Sequence, residues 1–177
     1  MSSSAPTKQA PEGLAGLLGS LDAALADAEL LAGLGEAVDR GTPTAQSELL
    51  QLLVQSQGWR QAHWWRLVDG ALVAEARSPG SGELPWPRMG VGPLGRSLAL
   101  GRNSVLRPST ELDCPRCRLA DRAGDSWVAV LVGASGPVGG RLELTGCPPG
   151  GVGPERVALL GHVAWMLART SRRQAEP

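Results

Sequence analysis

Residues 61–76, QAHWWRLVDGALVAEA, decide the fold that the sequence predicts. The first half of this stretch alternates between two faces, with His63, Trp65 and Leu67 on one of them, as in a β-strand. Asp69-Gly70 follows directly, and this dipeptide is typical of the tight turn between two antiparallel strands. The second half alternates again, so the stretch predicts a β-hairpin.

Two helices are predicted before this hairpin. Leucine and alanine recur at intervals of three and four residues from Leu14 onward, which predicts an amphipathic helix over residues 13–40. Thr42-Pro43 offers an N-cap followed by proline at the first helical position, and a second leucine-rich helix is predicted to end at Gly58. Residues 1–12 are small and polar, and we expect them to form a disordered tail.

The elements after the hairpin complete an α+β pattern. They are a turn-rich segment over 78–92, a short helix over 93–100 stopped by Gly101, a short strand over 103–106, a polar loop over 108–125, a buried strand over 126–133, its partner over 140–145 and a closing helix over 154–173. This order predicts an antiparallel sheet of about five to six strands, with the N- and C-terminal helices packed on one face.

The amino-acid composition restricts which kinds of protein this chain can be. The chain has 177 residues, with Lys+Arg 17 against Asp+Glu 17, and this balance argues against nucleic-acid binding. Hydrophobic residues at 42% suffice for one core, so we expect one domain. The absence of Phe and Tyr, with Gly 24 and Pro 14, is typical of a GC-rich bacterial genome. Tryptophan must therefore supply the large aromatic core, and we expect Trp165 to lie in it.

The sequence gives no sign of a membrane protein. Its first residues lack the charged and then apolar order of a signal peptide, and no run approaches the roughly 18 apolar residues of a membrane span. The three cysteines are an odd number, which favours reduced thiols. We expect a cytoplasmic protein that does not insert into a membrane.

Residues 90–106, GVGPLGRSLALGRNSVL, resemble the middle signature of GAF domains: a glycine-rich turn, a short helix, a Gly-Arg break and a strand. Residues 126–132, 136–144 and 155–168 are similar to the central strand, next hairpin and closing helix of that family. The resemblance covers roughly residues 30–170 and implies a GAF-like domain over residues 41–173. It also implies a small-molecule pocket between the sheet and the loops after the first hairpin. The candidate ligand-binding residues are Trp65, Trp86, Arg96 and Arg107.

The resemblance also implies a homodimer, because GAF domains commonly associate through their N- and C-terminal helices. The leucine stripe of the first helix suits such a role on its own physics. The candidate dimerisation residues are Leu14, Leu17, Leu21, Leu31, Leu160 and Leu167.

Cys114 and Cys117 form a C-x-x-C pair in the polar loop. The pair could supply two ligands of a zinc site, although only Cys147 and two histidines remain for the others. It could also be a redox pair, because neighbouring arginines stabilise thiolates, but two incidental thiols are the simplest interpretation. The loop lacks the His, Asp and second-Cys pattern with which some GAF-containing proteins attach a bilin or reduce a sulfoxide. His63 and His162 are each candidates for a haem ligand and, more simply, for packed residues. We expect no bound cofactor.

The sequence contains only weak matches to known cofactor-binding and catalytic motifs. Gly90 to Gly95 match G-x-G-x-x-G, but no strand precedes them and only a short helix follows, so a structural turn is expected. No serine, histidine and carboxylate pattern for hydrolysis is present, and we expect that the chain is not an enzyme. The leading hypothesis is a stand-alone sensory or regulatory module that binds a small ligand or a separate signalling protein. The alternatives are a ligand-free scaffold subunit and a thiol-redox sensor.

Overall fold

The computed structural model describes residues 10–40, 44–69, 71–79, 91–106, 127–133, 139–146, 148 and 151–175. Within these ranges the chain forms four helices and five strands. In chain order they are α1 (Ala10–Arg40), α2 (Ala45–Gln57), β1 (Trp59–Val68), β2 (Ala71–Arg77), α3 (Gly92–Leu100), β3 (Ser104–Leu106), β4 (Trp127–Val132), β5 (Gly140–Gly146) and α4 (Pro154–Ala175).

The five strands form one sheet in the order β2-β1-β5-β4-β3, and every neighbouring pair is antiparallel. The β1–β2 hairpin turns at Asp69, which adopts a positive φ of 49° as a tight turn requires. Strand β5 lies at the centre, where Leu142 pairs with Trp64 of β1 and with Leu131 of β4. The predicted α+β class and antiparallel sheet are confirmed.

One face of the sheet, here called the first face, is covered by α2 and α4, and α1 packs on these two helices over the same face. Period-two alternation directs every second side chain of the central strands toward these helices. The fully buried members of this core include Leu30, Leu34, Leu49, Leu53, Ala62, Trp64, Leu131, Leu142, Leu144, Leu160 and Leu167. The expected packing of N- and C-terminal helices on one face is therefore confirmed.

Trp64 determines where glycine is needed in this core. Its indole ring lies directly against Gly140, where an added Cβ would overlap the ring, and a Cβ on Gly133 would come within 2.6 Å of it. The indole N–H donates to Ser171 Oγ of α4 at 3.0 Å, and the Ser171 hydroxyl donates to Glu75 Oε2 of β2 at 2.9 Å. This buried junction joins the hairpin to the end of α4.

The element boundaries depart from the sequence prediction at both N-terminal helices. Helix α1 already begins at Ala10, so the last residues of the predicted tail are helical, while residues 1–9 lie outside the described ranges. Helix α2 begins at Ala45, and Thr44 occupies the N-cap position with helical dihedrals. The Thr44 hydroxyl donates to Glu48 Oε1 at 2.8 Å rather than accepting a backbone bond. Thr42-Pro43 lies outside the described ranges.

Two side-chain placements on α4 correct the sequence analysis. Trp165 is 44% exposed, so the expectation that it lies in the core is wrong. Its ring stacks on His162 and lies under the Arg169 guanidinium, which leaves it on the outer surface of the helix. Conversely, Leu160 and Leu167 are fully buried against the first face, so they are closed to a second copy of the chain.

No helix among the described residues combines the length and the apolar character that a membrane span needs.

Candidate functional site

The face of the sheet turned away from α1, α2 and α4 is here called the second face. Its apolar residues form a separate small core, in which α3 packs Leu94 and Leu98 over the sheet. Trp65 of β1 and Val130 of β4 are among the buried members, at 4% and 0% exposure. Thus one helix and two central strands enclose a second interior, distinct from the main core.

A carboxylate is buried in this second interior. On β5, Leu142 and Leu144 belong to the first core, so alternation places Glu143 on the second face. Glu143 is only 3% exposed, and the Trp65 indole N–H donates to its Oε2 at 2.9 Å. Removing a carboxylate from water costs several kcal/mol of folding free energy unless its partners compensate. The burial of Glu143 therefore depends on donors such as the Trp65 indole.

A guanidinium is buried two residues earlier on the same strand. Arg141 is 6% exposed; its Nε donates to Ser97 Oγ of α3 at 3.1 Å and its Nη1 to the Gly140 carbonyl at 3.0 Å. Burial lowers the pKa of Arg141, although a guanidinium keeps its charge at neutral pH. Buried groups of opposite charge on one apolar face are a common feature of binding and catalytic sites.

A histidine lies beside these two groups. His63 is 4% exposed and pairs across the strands with Glu143, and its ring centroid lies 6.1 Å from that of Trp65. His162 belongs to α4, which covers the first face, so the sheet separates the two histidines and one haem cannot take both. Among the described residues, no group of three or more His, Cys, Asp or Glu is placed to hold a metal ion.

A solvent-open groove of about 330 Å³ lies between α3 and the edge strand β3. Leu100 at its rim is 58% exposed, while Ser97 in its wall is fully buried and accepts the Arg141 hydrogen bond. The groove is therefore connected to the second face through one shared side chain, and the two together form the candidate site. Its lining residues are Arg96, Ser97, Leu100, Arg102, Asn103, Ser104 and Val105.

The structure brings two of the candidate ligand-binding residues to this site. Trp65 lies on the second face and Arg96 lines the groove, and the Arg141–Ser97 hydrogen bond lies between these two parts. Sequence analysis missed Arg141, Glu143 and Ser97. The pattern G-R-L-E-L-T-G over 140–146 contained the signal, because charged residues alternate there with leucines on a central strand. Trp86, Arg107, Cys114 and Cys117 lie outside the described ranges.

The exposed side of α1 is a second candidate surface. Leu18, Leu21 and Leu25 are 54%, 64% and 61% exposed, and their three- and four-residue spacing is that of a coiled-coil seam. Leu31 is 40% exposed. Leu14 and Leu17 belong to the same helix, but their side chains lie outside the described part of the chain.

No family model and no curated protein matches the sequence, but solved structures match the fold. A free methionine-R-sulfoxide reductase from Neisseria meningitidis, solved with its substrate, has a TM-score of 0.65 at 20% identity, with 87% of this chain and 93% of that chain covered. The GAF domain of A. aeolicus nlh2, in an inactive state, gives 0.63 at 10% identity, with 86% and 99% covered.

A third solved structure of the same fold is the GAF domain of a phosphoenolpyruvate-protein phosphotransferase from Coxiella burnetii. It gives a TM-score of 0.62 at 13% identity, with 84% of this chain and 96% of that chain covered. The chain therefore has a GAF-like fold, as its resemblance in sequence predicted.

The expectation that the chain is not an enzyme is wrong, because its fold is also that of enzymes, the free methionine-R-sulfoxide reductases. That expectation rested on missing hydrolytic patterns, which bear only on hydrolysis, and on the residues around Cys114 and Cys117, which lack the pattern expected for sulfoxide reduction. Thiol chemistry needs none of the hydrolytic patterns.

Proposed function

We propose that this chain is a regulatory module that binds a small ligand at the second face and the adjoining groove. The observation that carries the proposal is the burial of Glu143 and Arg141 on one face of β5 within apolar surroundings. Two charges of opposite sign so placed contribute little to stability compared with apolar residues. They do offer directed polar contacts to a bound molecule, which is what small-molecule sites place among apolar walls.

The groove supports this proposal by its size and its access. A volume of about 330 Å³ falls within the roughly 300–1,000 Å³ that is typical of small-molecule pockets. Ser97 lines the groove and accepts a hydrogen bond from Arg141, so this residue connects the groove to the buried guanidinium. If ligand binding displaced Ser97, the hydrogen bond would transmit that displacement to Arg141 on the central strand β5.

The site is tested by a thermal-shift screen of the full chain against amino acids, organic acids, nucleotides and sugar phosphates. A true ligand at one hundred times its dissociation constant adds about 2.7 kcal/mol, which corresponds to a rise of about 5 to 10 °C for a domain of this size. Glu143→Gln should lose that rise, whereas Glu29→Gln, an exposed acid on α1, should keep it.

A screen in which no compound raises the melting temperature of the wild-type chain by 2 °C would contradict the ligand-binding function. It would favour the ligand-free scaffold instead.

We further propose that the module acts as a homodimer through α1. The support is the leucine stripe Leu18, Leu21 and Leu25, which is the seam spacing of paired helices and is more than half exposed in the single chain. Leu14 and Leu17 precede it on the same helix. A second copy would cover this stripe, whereas the buried Leu160 and Leu167 have no part in it.

Sedimentation velocity tests the dimer. The wild-type chain should sediment as a dimer, and Leu21→Glu/Leu25→Glu should be monomeric with unchanged circular dichroism, because two buried carboxylates per chain would face each other in the seam. Val73→Glu adds a charge to a different exposed apolar position, on β2, and should remain dimeric. A monomeric wild-type chain at tens of micromolar would refute this part of the proposal.

A second candidate function is thiol-dependent reduction of a small sulfoxide. The observation in its favour is that the free methionine-R-sulfoxide reductase from Neisseria meningitidis shares the fold over 93% of its length. In such a reaction two cysteine thiols become a disulfide, and the sulfoxide oxygen leaves as water with the two thiol protons. The chain contains three cysteines, Cys114, Cys117 and Cys147.

The test for this candidate is methionine formation from free methionine-R-sulfoxide with dithiothreitol as reductant. Turnover that is lost in Cys114→Ser or Cys117→Ser would establish the enzyme. Absence of turnover in the wild-type chain would remove the candidate and leave the ligand-binding function untouched.

A further inference from the structure

The charged groups that line the groove between α3 and β3 are all positive among the described residues. Arg96 contributes a guanidinium from α3 and Arg102 a second one from the turn that follows the helix. Ser104 adds a hydroxyl at the start of β3. None of the described residues that line the groove carries a negative charge. The groove is therefore arranged to receive an anion.

The orientation of Asn103 strengthens this argument. Its side-chain oxygen accepts the backbone N–H of Val132 at 2.9 Å, which fixes the amide in one orientation. The groups that this residue can still offer to a ligand in the groove are the two N–H donors of the amide nitrogen. Asn103 thus adds donors to those of the two arginines, and it does so at the junction between the helix turn and β3.

These donors come from three separate segments: the helix, the turn and the strand. A carboxylate is planar and is well satisfied by one guanidinium, whereas a phosphate monoester has three terminal oxygens and accepts bonds from several directions. At neutral pH it also carries close to two negative charges, so a guanidinium attracts it more strongly than it attracts a singly charged carboxylate. The number and spread of the donors therefore favour a phosphate over a carboxylate.

The groove is larger than its anion-binding part. Leu100 and Val105 give it an apolar rim, and a volume of about 330 Å³ leaves room for an organic group beside a phosphate. Ser97 in the wall carries the Arg141 hydrogen bond toward the second face. A groove of this size and lining therefore suits a phosphate that carries a small organic group.

We propose that Arg96, Arg102, Asn103 and Ser104 form a phosphate subsite, so that the ligand of this module is a small phosphate monoester. This inference rests on the proposed ligand-binding function and names the chemical class of its ligand.

The test is isothermal titration calorimetry of the full chain with glucose 6-phosphate, inorganic phosphate, glucose and succinate. Both phosphates should bind and glucose should not, and succinate should bind at least tenfold more weakly than the phosphates. The ester should bind more tightly than free phosphate, because it also contacts the apolar rim. Affinity should fall between pH 7 and pH 5 as the phosphate loses its second charge, whose pKa is about 6.

Arg102→Gln is the diagnostic variant because Arg102 is exposed on a turn and its loss leaves the core intact. Loss of a charge-assisted hydrogen bond should weaken phosphate binding about tenfold or more. Arg77→Gln is the matched control: it removes one exposed arginine from β2, at the opposite edge of the sheet from β3, and should bind as the wild-type chain does.

Equal weakening in Arg77→Gln and Arg102→Gln would show a general effect of net charge and overturn the subsite. Absence of phosphate binding to the wild-type chain would overturn it as well. The proposed function is judged separately, because a non-phosphorylated compound that stabilises the wild-type chain and not Glu143→Gln would sustain it even then.

Discussion

At the scale of single residues, the hydrogen bond from Trp65 to Glu143 shows how the second face holds a buried charge. The indole brings an N–H donor on an apolar body, so it can enclose the carboxylate and satisfy it at once. A donor on a ligand could bond to the other carboxylate oxygen of Glu143 or replace the Trp65 bond.

We predict that Trp65→Phe destabilises the chain by about 1 to 3 kcal/mol, because a buried carboxylate oxygen loses its donor. Urea unfolding followed by far-UV circular dichroism measures the loss. The control is Trp165→Phe, at a half-exposed position, which should change stability by less than about 0.5 kcal/mol. Equal effects from the two substitutions would mean that the Glu143 bond adds nothing to stability.

The sequence predicted the positions of these residues better than their roles. Alternation in residues 61–68 placed Trp65 and His63 on one face correctly. Alternation in residues 140–146 could not reveal that Arg141 and Glu143 are buried. Charged residues that alternate with apolar ones on a strand ordinarily face the solvent. Their burial depends on a helix, α3, that is far from β5 in sequence, and only the tertiary fold shows it.

At the scale of elements, the contact between Trp64 and β5 determines how closely the strands and helices pack. Gly140 has no side chain where the indole ring lies, and Trp64 is held there by its bond to Ser171. The indole N–H also lies 3.0 Å from Glu75 Oε2, so a displacement of the ring disturbs two polar contacts. A single added methyl group at this position must therefore shift a strand.

Gly140→Ala should cost about 1 to 3 kcal/mol or more, as overpacking of a rigid core does. Gly35→Ala is the contrasting variant: nothing lies within 4 Å of the added methyl group, and alanine in a helix interior should stabilise by about 0.5 to 1 kcal/mol. Denaturant unfolding of both variants checks the opposite signs. A neutral Gly140→Ala would mean that the sheet can relax around Trp64.

Turn and capping residues in the sequence predicted most element boundaries correctly. They failed at the start of α2, where two neighbouring positions could each serve as the N-cap. The Asp-Gly turn, the end of α2 at Gly58 and the end of α3 at Gly101 were all correct, because each needs a positive φ. The start of α2 was wrong because Thr42-Pro43 looked like a cap while the helix begins after Thr44. Capping patterns identify residues that can start a helix, and tertiary packing selects among them.

At the scale of the whole molecule, the sheet separates two interiors with different uses. The core on the first face is mostly apolar, and its polar part is the junction of Trp64, Ser171 and Glu75. The second face holds the buried Arg141 and Glu143 and adjoins an open groove. The leucine stripe of α1 lies on the outer surface of the helical layer. Among the described elements, the sheet and the helices packed on it lie between the second face and the proposed dimer contact.

Sequence periodicity could not separate core leucines from interface leucines. Leu160, Leu167, Leu21 and Leu31 all follow helical spacing, yet the first two are fully buried and the others are 64% and 40% exposed. Periodicity reports that a stripe is apolar, whereas the number of helices that cover it follows from the assembled fold. The homodimer thus remains a prediction that rests on the exposed part of α1.

The most direct measurement of the central claim is native mass spectrometry of gently purified full-length chain, repeated after denaturation. We expect a dimer that carries the non-covalent mass of a small molecule, with that mass lost on denaturation and reduced in Glu143→Gln. A bare chain at native conditions that also takes up no compound from the small-molecule screen would contradict the claim that the second face is a ligand-binding site.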